Sequence, residues 1–271
     1  MDIEWCVFDL DGTLLNDKGC LTNETIAAVH QVIKAGRKVI LATGRSHLFV
    51  KDIAFRLGVV YPIISCNGGL IVDIGQGDVL FSKSIDDDSV LKLAEYCLHH
   101  HYDTLVYSHD HIYYSGNSKR ISQYQRYNTE VKASFQIPLE EMRVGNLPRG
   151  KVVKFFVWGI DRTLADQFER DMNGKKQLAM VSSARGALDI MAKDISKGNG
   201  LTILGEKIGI DFARTMVFGD NFNDISMLRL AGYPIAVGNA EAEVKAVARY
   251  VTGANDENGV AEALRKYILL Q

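Results

Sequence analysis

Apolar positions in this chain fall into short runs separated by stretches of helical spacing. Ile3 to Phe8, apolar except for Glu4, reads as a strand of the kind that lies in a parallel sheet covered on both faces. A helix follows, with Thr22 placed to cap its start and Gly36 to stop it. Lys38 to Ala42 is a second apolar strand, Ser46 to Leu57 has helical spacing and runs into Gly58, and Ile63 to Cys66 is a third short strand. This alternation of strand and helix predicts a doubly wound α/β core.

The middle of the chain carries a different pattern. Ile71–Ile74 and Val79–Phe81 form a hairpin pattern around Gly75-Gln76-Gly77, and Asp86 to His101 is helical. Strand-like pieces at Thr104–Tyr107 and Ile112–Tyr114 precede a polar, tyrosine-rich helix near Ser118–Tyr127. Strands at Val152–Trp158 and Leu178–Val181 flank a helix at Arg162–Met172. Hairpins mixed with helices predict a separate α+β module. Simple alternation then returns: helix Gly198–Ile208, strand Thr215–Phe218, helix Asp224–Ala231, strand Ile235–Val237, helix Ala242–Ala248, strand Tyr250–Thr252 and helix Gly259–Leu269. The expected architecture is α/β: a doubly wound, mostly parallel sheet core from residues 1–83 and 189–271, with residues 84–188 inserted as an α+β cap domain.

Composition narrows the class of protein. With 47% apolar residues the 271-residue chain can bury a sizeable core. A net charge of -2, from 31 basic and 33 acidic residues, leaves no electrostatic footprint for nucleic acid. Cys6, Cys20, Cys66 and Cys97 form no C-x-x-C pair and no zinc-site spacing, which suits a reducing compartment. The acidic start Met-Asp-Ile-Glu is unlike a signal peptide, and no apolar run approaches the ~20 residues of a membrane helix. A cytoplasmic protein that binds neither nucleic acid nor membrane is expected, as a monomer or weak homo-oligomer.

Candidate chemistry sits at the predicted strand ends, where open parallel sheets bind their ligands. Asp9-Leu10-Asp11-Gly12-Thr13 directly follows the first strand. A carboxylate there can attack a phosphoryl group, a second can pass a proton to the leaving oxygen, and Mg2+ suits both carboxylate and phosphate oxygens. The bland alternative is an acidic strand-end loop. Ala42-Thr43-Gly44-Arg45 offers a hydroxyl and backbone N–H groups as an anion seat, or else Thr43 or Ser46 simply starts the next helix. Lys197-Gly198 opens a helix, where a lysine can meet a phosphoryl oxygen or lie in solvent. In Gly219-Asp220-Asn221-Phe222-Asn223-Asp224, Asp220 stands at a strand end as Asp9 does and can share one metal with it. Asn223 and Asp224 can hydrogen-bond a phosphate and brace the metal, or the cluster is a helix cap. Together these groups supply the parts of metal-assisted phosphoryl transfer.

The motifs D-L-D-G-T, A-T-G-R, K-G and G-D-N-F-N-D, in this order, resemble the haloacid dehalogenase superfamily, and the long insertion between Asn67-Gly68-Gly69 and Lys197 resembles the larger cap of its Cof-type phosphatases. That resemblance implies a Rossmann-like catalytic core, Asp9 as nucleophile and Asp11 as general acid/base. It implies Mg2+ held by Asp9, Asp220 and the Asp11 backbone carbonyl, with Asp224 behind them. Thr43, Gly44, Lys197, Asn223 and the Leu10 backbone would contact the phosphoryl group, and Asn67 and Gly68 would line the entrance. Cation pumps of the superfamily carry D-K-T-G-T, with threonine where Asp11 stands, so a carboxylate here implies rapid turnover.

The expected activity is Mg-dependent hydrolysis of small phosphorylated metabolites, such as sugar phosphates, through an aspartyl-phosphate. The alternatives are a phosphosugar mutase or phosphotransferase, and a phosphometabolite-binding regulator without catalysis. Other signals carry structural explanations beside functional ones: His99-His100-His101 closes a helix or binds metal, His109-Asp110-His111 is a polar hairpin tip or reaches into a substrate pocket, and the tyrosines at 107, 113, 114, 124 and 127 pack or stack on a flat ligand ring.

Overall fold

The computed structural model describes residues 2–172, 177–184 and 186–270. It divides into two compact units, residues 1–80 with 196–271, and residues 81–195.

The first unit opens with β1 (Trp5–Phe8), buried along its whole length. Helix α1 (Asn23–Lys34) starts at Thr22, whose side chain accepts from the Thr25 amide, and Gly36 beyond its end has φ +81°. Strand β2 (Lys38–Leu41) follows. The helical pattern at 46–57 resolves into a single 3-10 turn, His47–Phe49, capped by Ser46, and then α2 (Lys51–Leu57). Apolar spacing over one turn cannot distinguish the two kinds of helix. Gly58, at φ +68°, ends α2. Strands β3 (Ile63–Ser65) and β4 (Leu70–Val72) are antiparallel, and β5 (Val79–Ser82) completes their three-stranded sheet. The turn between β3 and β4 is left-handed at Cys66, Asn67 and Gly68 in succession.

In the second unit α3 (Asp87–His99) is capped by the Asp86 side chain and ends in the histidine run. Strands β6 (Asp103–Ser108) and β7 (Ile112–Tyr114) form the hairpin with His109-Asp110-His111 at its tip. Helix α4 (Ile121–Glu130) begins later than its pattern predicts, because Asp103 accepts from the Ser118 hydroxyl and the Lys119 amide and holds that segment outside the helix. Then come β8 (Leu139–Glu141), β9 (Val152–Trp158), α5 (Arg162–Met172), β10 (Leu178–Ala184) and β11 (Ala187–Ala192). These strands form a six-stranded sheet in the order β10-β11-β9-β6-β7-β8, antiparallel except for the β7–β8 pair. Val90, Leu93 and Cys97 of α3 and Phe168 of α5 pack with Phe155, Val157 and Ile190 of the sheet.

Strands β8 and β11 have no counterpart in the sequence reading. The first is a short, charged edge strand. In the second, Asp189 interrupts the apolar run and is buried against Lys154 of β9, whose Nζ lies 2.8 Å from its carboxylate. Because β11 pairs with β9 and β10, the second unit extends to Ile195, past the boundary at 188 drawn from the sequence.

The chain returns to the first unit with α6 (Lys197–Ile208), β12 (Thr215–Gly219), α7 (Ile225–Leu228), β13 (Tyr233–Ala236), α8 (Ala242–Val247), β14 (Tyr250–Val251) and α9 (Gly259–Leu264). The pattern at 224–231 yields a 3-10 turn at Phe222–Asp224 and the short α7. The main sheet has the order β14-β13-β12-β1-β2, and every pair is parallel. From β1 the chain first builds outward through β2, then returns to build the other side from β12. The strand order therefore reverses between β1 and β12, and crevices for ligands open at such points.

Candidate active site

The register of β1 on β12 pairs Phe8 with Phe218, so the residues that follow these strands emerge together at one end of the sheet. Asp9 donates its amide to the Phe218 carbonyl at 3.2 Å, and Asp220 follows Gly219 on the neighbouring strand. Among the described residues, one carboxylate oxygen each of Asp9, Asp220 and Asp224 lies within 4.8 Å of the others. Asp9 and Asp224 are buried and Asp220 is partly so.

Lys197 enters this cluster from the first position of α6, with Ser196 as cap. Its Nζ donates to Asp9 Oδ1 at 2.5 Å and to Asp224 Oδ1 at 2.6 Å, and its side chain is 1% exposed. The other oxygen of Asp224 accepts from the amides of Asp220 and Asn221, at 2.9 and 3.0 Å. Asn221 and Asp224 also form a capping box, so the helix-cap reading of this loop holds, and the cap builds the site. Gly198 is required beside the lysine, because a side chain there would strike the Ser226 carbonyl.

Gly12, at φ +79°, turns the loop after β1 back over Asp220, where a Cβ would overlap that carboxylate. Thr13 Oγ1 donates to Asp220 Oδ1 at 2.7 Å. Asp11 lies outside the carboxylate cluster. Its carboxylate receives both Nε of Arg45, at 2.7 Å, and Nη2 of Arg45.

The seat after β2 lies at the same end of the sheet, since Ala42 donates to the Phe8 carbonyl. Ser46 supplies the helix cap, and the buried Thr43 hydroxyl accepts from the Arg45 amide at 3.1 Å. The Asn67 amide donates to the Thr43 carbonyl at 3.0 Å, and its Oδ1, which a side chain at Gly44 would crowd, accepts from Asn223 Nδ2 at 3.0 Å. Asn67 thereby joins the Thr43-Gly44 loop to the loop after β12. Leu10 is buried, and its carbonyl accepts from Thr13 and Leu15.

The electrostatics follow from three acids facing one lysine in a desolvated space. Burial raises the Asp9 carboxyl well above the usual range, against the pull of Lys197, and Asp224 and Asp220 push it the same way. Burial also raises Asp220, to about 6, with the Thr13 hydrogen bond opposing and Asp224 reinforcing. Burial opposes charge on Lys197, but the Asp224 and Asp9 carboxylates outweigh it and raise its pKa. One lysine thus faces three carboxyl groups, and Lys197 and backbone amides occupy both oxygens of Asp224. An all-oxygen donor set in which acids outnumber the lysine fits a hard divalent cation.

The structure thus brings Asp9, Asp220, Asp224 and Lys197 into one cluster, sets Thr43 and Gly44 at the same sheet end, links Asn223 to that seat, and sends the Asp11 side chain to Arg45 instead. The sequence reading gave no role to Thr13 or Arg45. Both lie inside the quoted motifs, and that adjacency was the available signal.

A family model described as haloacid dehalogenase-like hydrolase matches residues 6–264. The chain is 31% identical to the 5-amino-6-(5-phospho-D-ribitylamino)uracil phosphatase YwtE of Bacillus subtilis, over 93% of this chain and 94% of that protein. It is 32% identical to the pyridoxal phosphate phosphatase YbhA of Escherichia coli, over 96% of this chain and 97% of that one. A haloacid dehalogenase-like hydrolase from Bacteroides thetaiotaomicron superposes with a TM-score of 0.85 at 26% identity, covering 97% of this chain and 99% of the other.

Proposed function

The chain belongs to the haloacid dehalogenase-like hydrolases and is a phosphoric monoester hydrolase, and on that premise we propose that it is a Mg-dependent phosphatase of small phosphorylated metabolites that works through an aspartyl-phosphate on Asp9. The observation that carries this reading is the buried cluster of Asp9, Asp220 and Asp224 around Lys197 at the reversal point of the sheet.

The Asp9 carboxylate attacks phosphorus and the bond to the leaving oxygen breaks, while Asp11 gives that oxygen its proton. Asp11 then takes a proton from the water that attacks the aspartyl-phosphate, releasing inorganic phosphate and restoring Asp9. Lys197 fixes one oxygen of the nucleophile and offsets charge in the cluster. Thr43, Gly44, Asn223 and the Leu10 backbone receive the phosphoryl oxygens. Asp9, Asp220 and the Asp11 backbone carbonyl would hold Mg2+, which when bound neutralises the repulsion between carboxylate and phosphate. Asp224 braces this arrangement through Lys197 and the amides of residues 220 and 221.

The relatives named for phosphoribitylaminouracil and pyridoxal phosphate support a metabolite-sized substrate, and sugar phosphates belong to the same class. Four free cysteines support residence in a reducing cytoplasm. The test is phosphate release from p-nitrophenyl phosphate and a panel of sugar and cofactor phosphates, with and without Mg2+. Magnesium-dependent turnover is expected. Its absence across the panel overturns the reading, and an isomeric sugar phosphate formed without phosphate release identifies a mutase instead.

A further inference from the structure

Arg45 makes the most specific contact in the site that the reaction scheme above leaves unused. Its guanidinium meets the Asp11 carboxylate with two donors, Nε to Oδ2 at 2.7 Å and Nη2 to Oδ1. A bidentate pair of this kind fixes the plane of a carboxylate as well as its position. Arg45 is itself well anchored. Its amide donates to Thr43 Oγ1, its carbonyl accepts from Cys66, and its guanidinium lies 4.8 Å from the centre of the Phe49 ring. Asp11 by contrast has a side chain 56% exposed, against 22% for Arg45. A short, exposed carboxylate on a glycine-containing loop has little else to hold it.

Resting on the phosphatase reading, we propose that Arg45 is the positioning residue for Asp11: it orients the carboxylate that exchanges a proton with the leaving oxygen and with water. The guanidinium occupies one lone pair on each oxygen of Asp11. A carboxylate has about four such sites, so the remainder stay open for the proton. Proton transfer requires donor and acceptor within hydrogen-bond reach, and misplacement by about 1 Å forfeits much of the gain. Arg45 therefore acts through Asp11, and its removal is felt wherever the leaving oxygen needs a proton.

This differs from a role in gripping the phosphoryl group, and leaving-group chemistry separates the two. Phenyl phosphate departs as a far more basic oxygen than p-nitrophenyl phosphate and depends more on proton donation. Wild type, Asp11→Asn, Arg45→Ala, Arg45→Lys and Asp11→Asn/Arg45→Ala are compared on both esters in Mg2+, with thermal unfolding confirming that each variant is folded. We expect Asp11→Asn and Arg45→Ala each to lower kcat on phenyl phosphate by ~10- to 100-fold more than on p-nitrophenyl phosphate. The double variant is expected to match Asp11→Asn. Arg45→Lys recovers part of the loss, since an ammonium supplies charge without the planar fork. Equal losses on the two esters, a rise in KM alone, or additive losses in the double variant overturn the proposal. Failure of the phosphatase reading itself shows separately, as wild type that turns over neither ester.

Discussion

Lys197 donates to Oδ1 of Asp9 across 2.5 Å, joining residues 188 positions apart in the chain. The same ammonium reaches Asp224, so one buried cation holds two of the three acids in the cluster. This contact is the hub of the site, tying the first strand end to the first residue of the helix that re-enters the core.

Asp9→Asn keeps the size and shape of the side chain but removes the nucleophile. Phosphate release should fall by more than about a thousandfold, on the scale of nucleophile removal in other enzymes, with the unfolding midpoint preserved. Substantial residual turnover would refute Asp9 as the attacking group.

Lys197→Met takes the cation out of a pocket where the lysine side chain is 1% exposed and leaves buried carboxylates facing one another. Breaking such a cluster from one side is expected to destabilise the fold by about 3–5 kcal/mol. Urea unfolding at neutral pH measures this, and a loss below 1 kcal/mol would show that the acids find other compensation.

Magnesium itself should stabilise the protein independently of turnover, because one lysine faces the three clustered acids Asp9, Asp220 and Asp224. A ligand at a hundredfold excess over its Kd adds about 2.7 kcal/mol. Wild type should melt at a higher temperature in millimolar Mg2+, and Asp220→Asn should lose that increment. An equal shift in both proteins would place the ion elsewhere.

In the second unit Lys154 and Asp189 form a buried pair, with side chains 6% and 2% exposed. Lys154→Met alone should cost about 3–5 kcal/mol by removing the cation beside the buried Asp189 carboxylate, whereas Lys154→Met/Asp189→Leu should recover most of it. Thermal unfolding of the single and double variants decides the matter. A double variant no better than the single would show that the pair, rather than its burial, supplies the stability.

Much of this was legible in the linear chain. The apolar runs ending at Phe8 and Phe218 marked two buried strands, and an aspartate stands within two residues of each end, so the acids were identifiable from local pattern alone. Thr22, Ser46 and Gly58 act at their helix ends where their chemistry predicts. Such signals are local: a cap, a turn or a period needs no more than a few neighbouring residues.

Tertiary structure decided what depends on partners distant in sequence. Asp189 is buried in β11 beside Lys154 of another strand, and Asp11 points toward Arg45 because a guanidinium from another loop awaits it. Asn67 joins two loops, its amide donating to the Thr43 carbonyl and its Oδ1 accepting from Asn223, contacts that no residue type announces. Sequence by itself determined the inventory of strands, caps and chemical groups, because these follow from short-range periodicity and side-chain type. Folding alone determined which charges meet, because Coulomb and hydrogen-bond energies depend on distances of a few ångströms that separation along the chain does not encode.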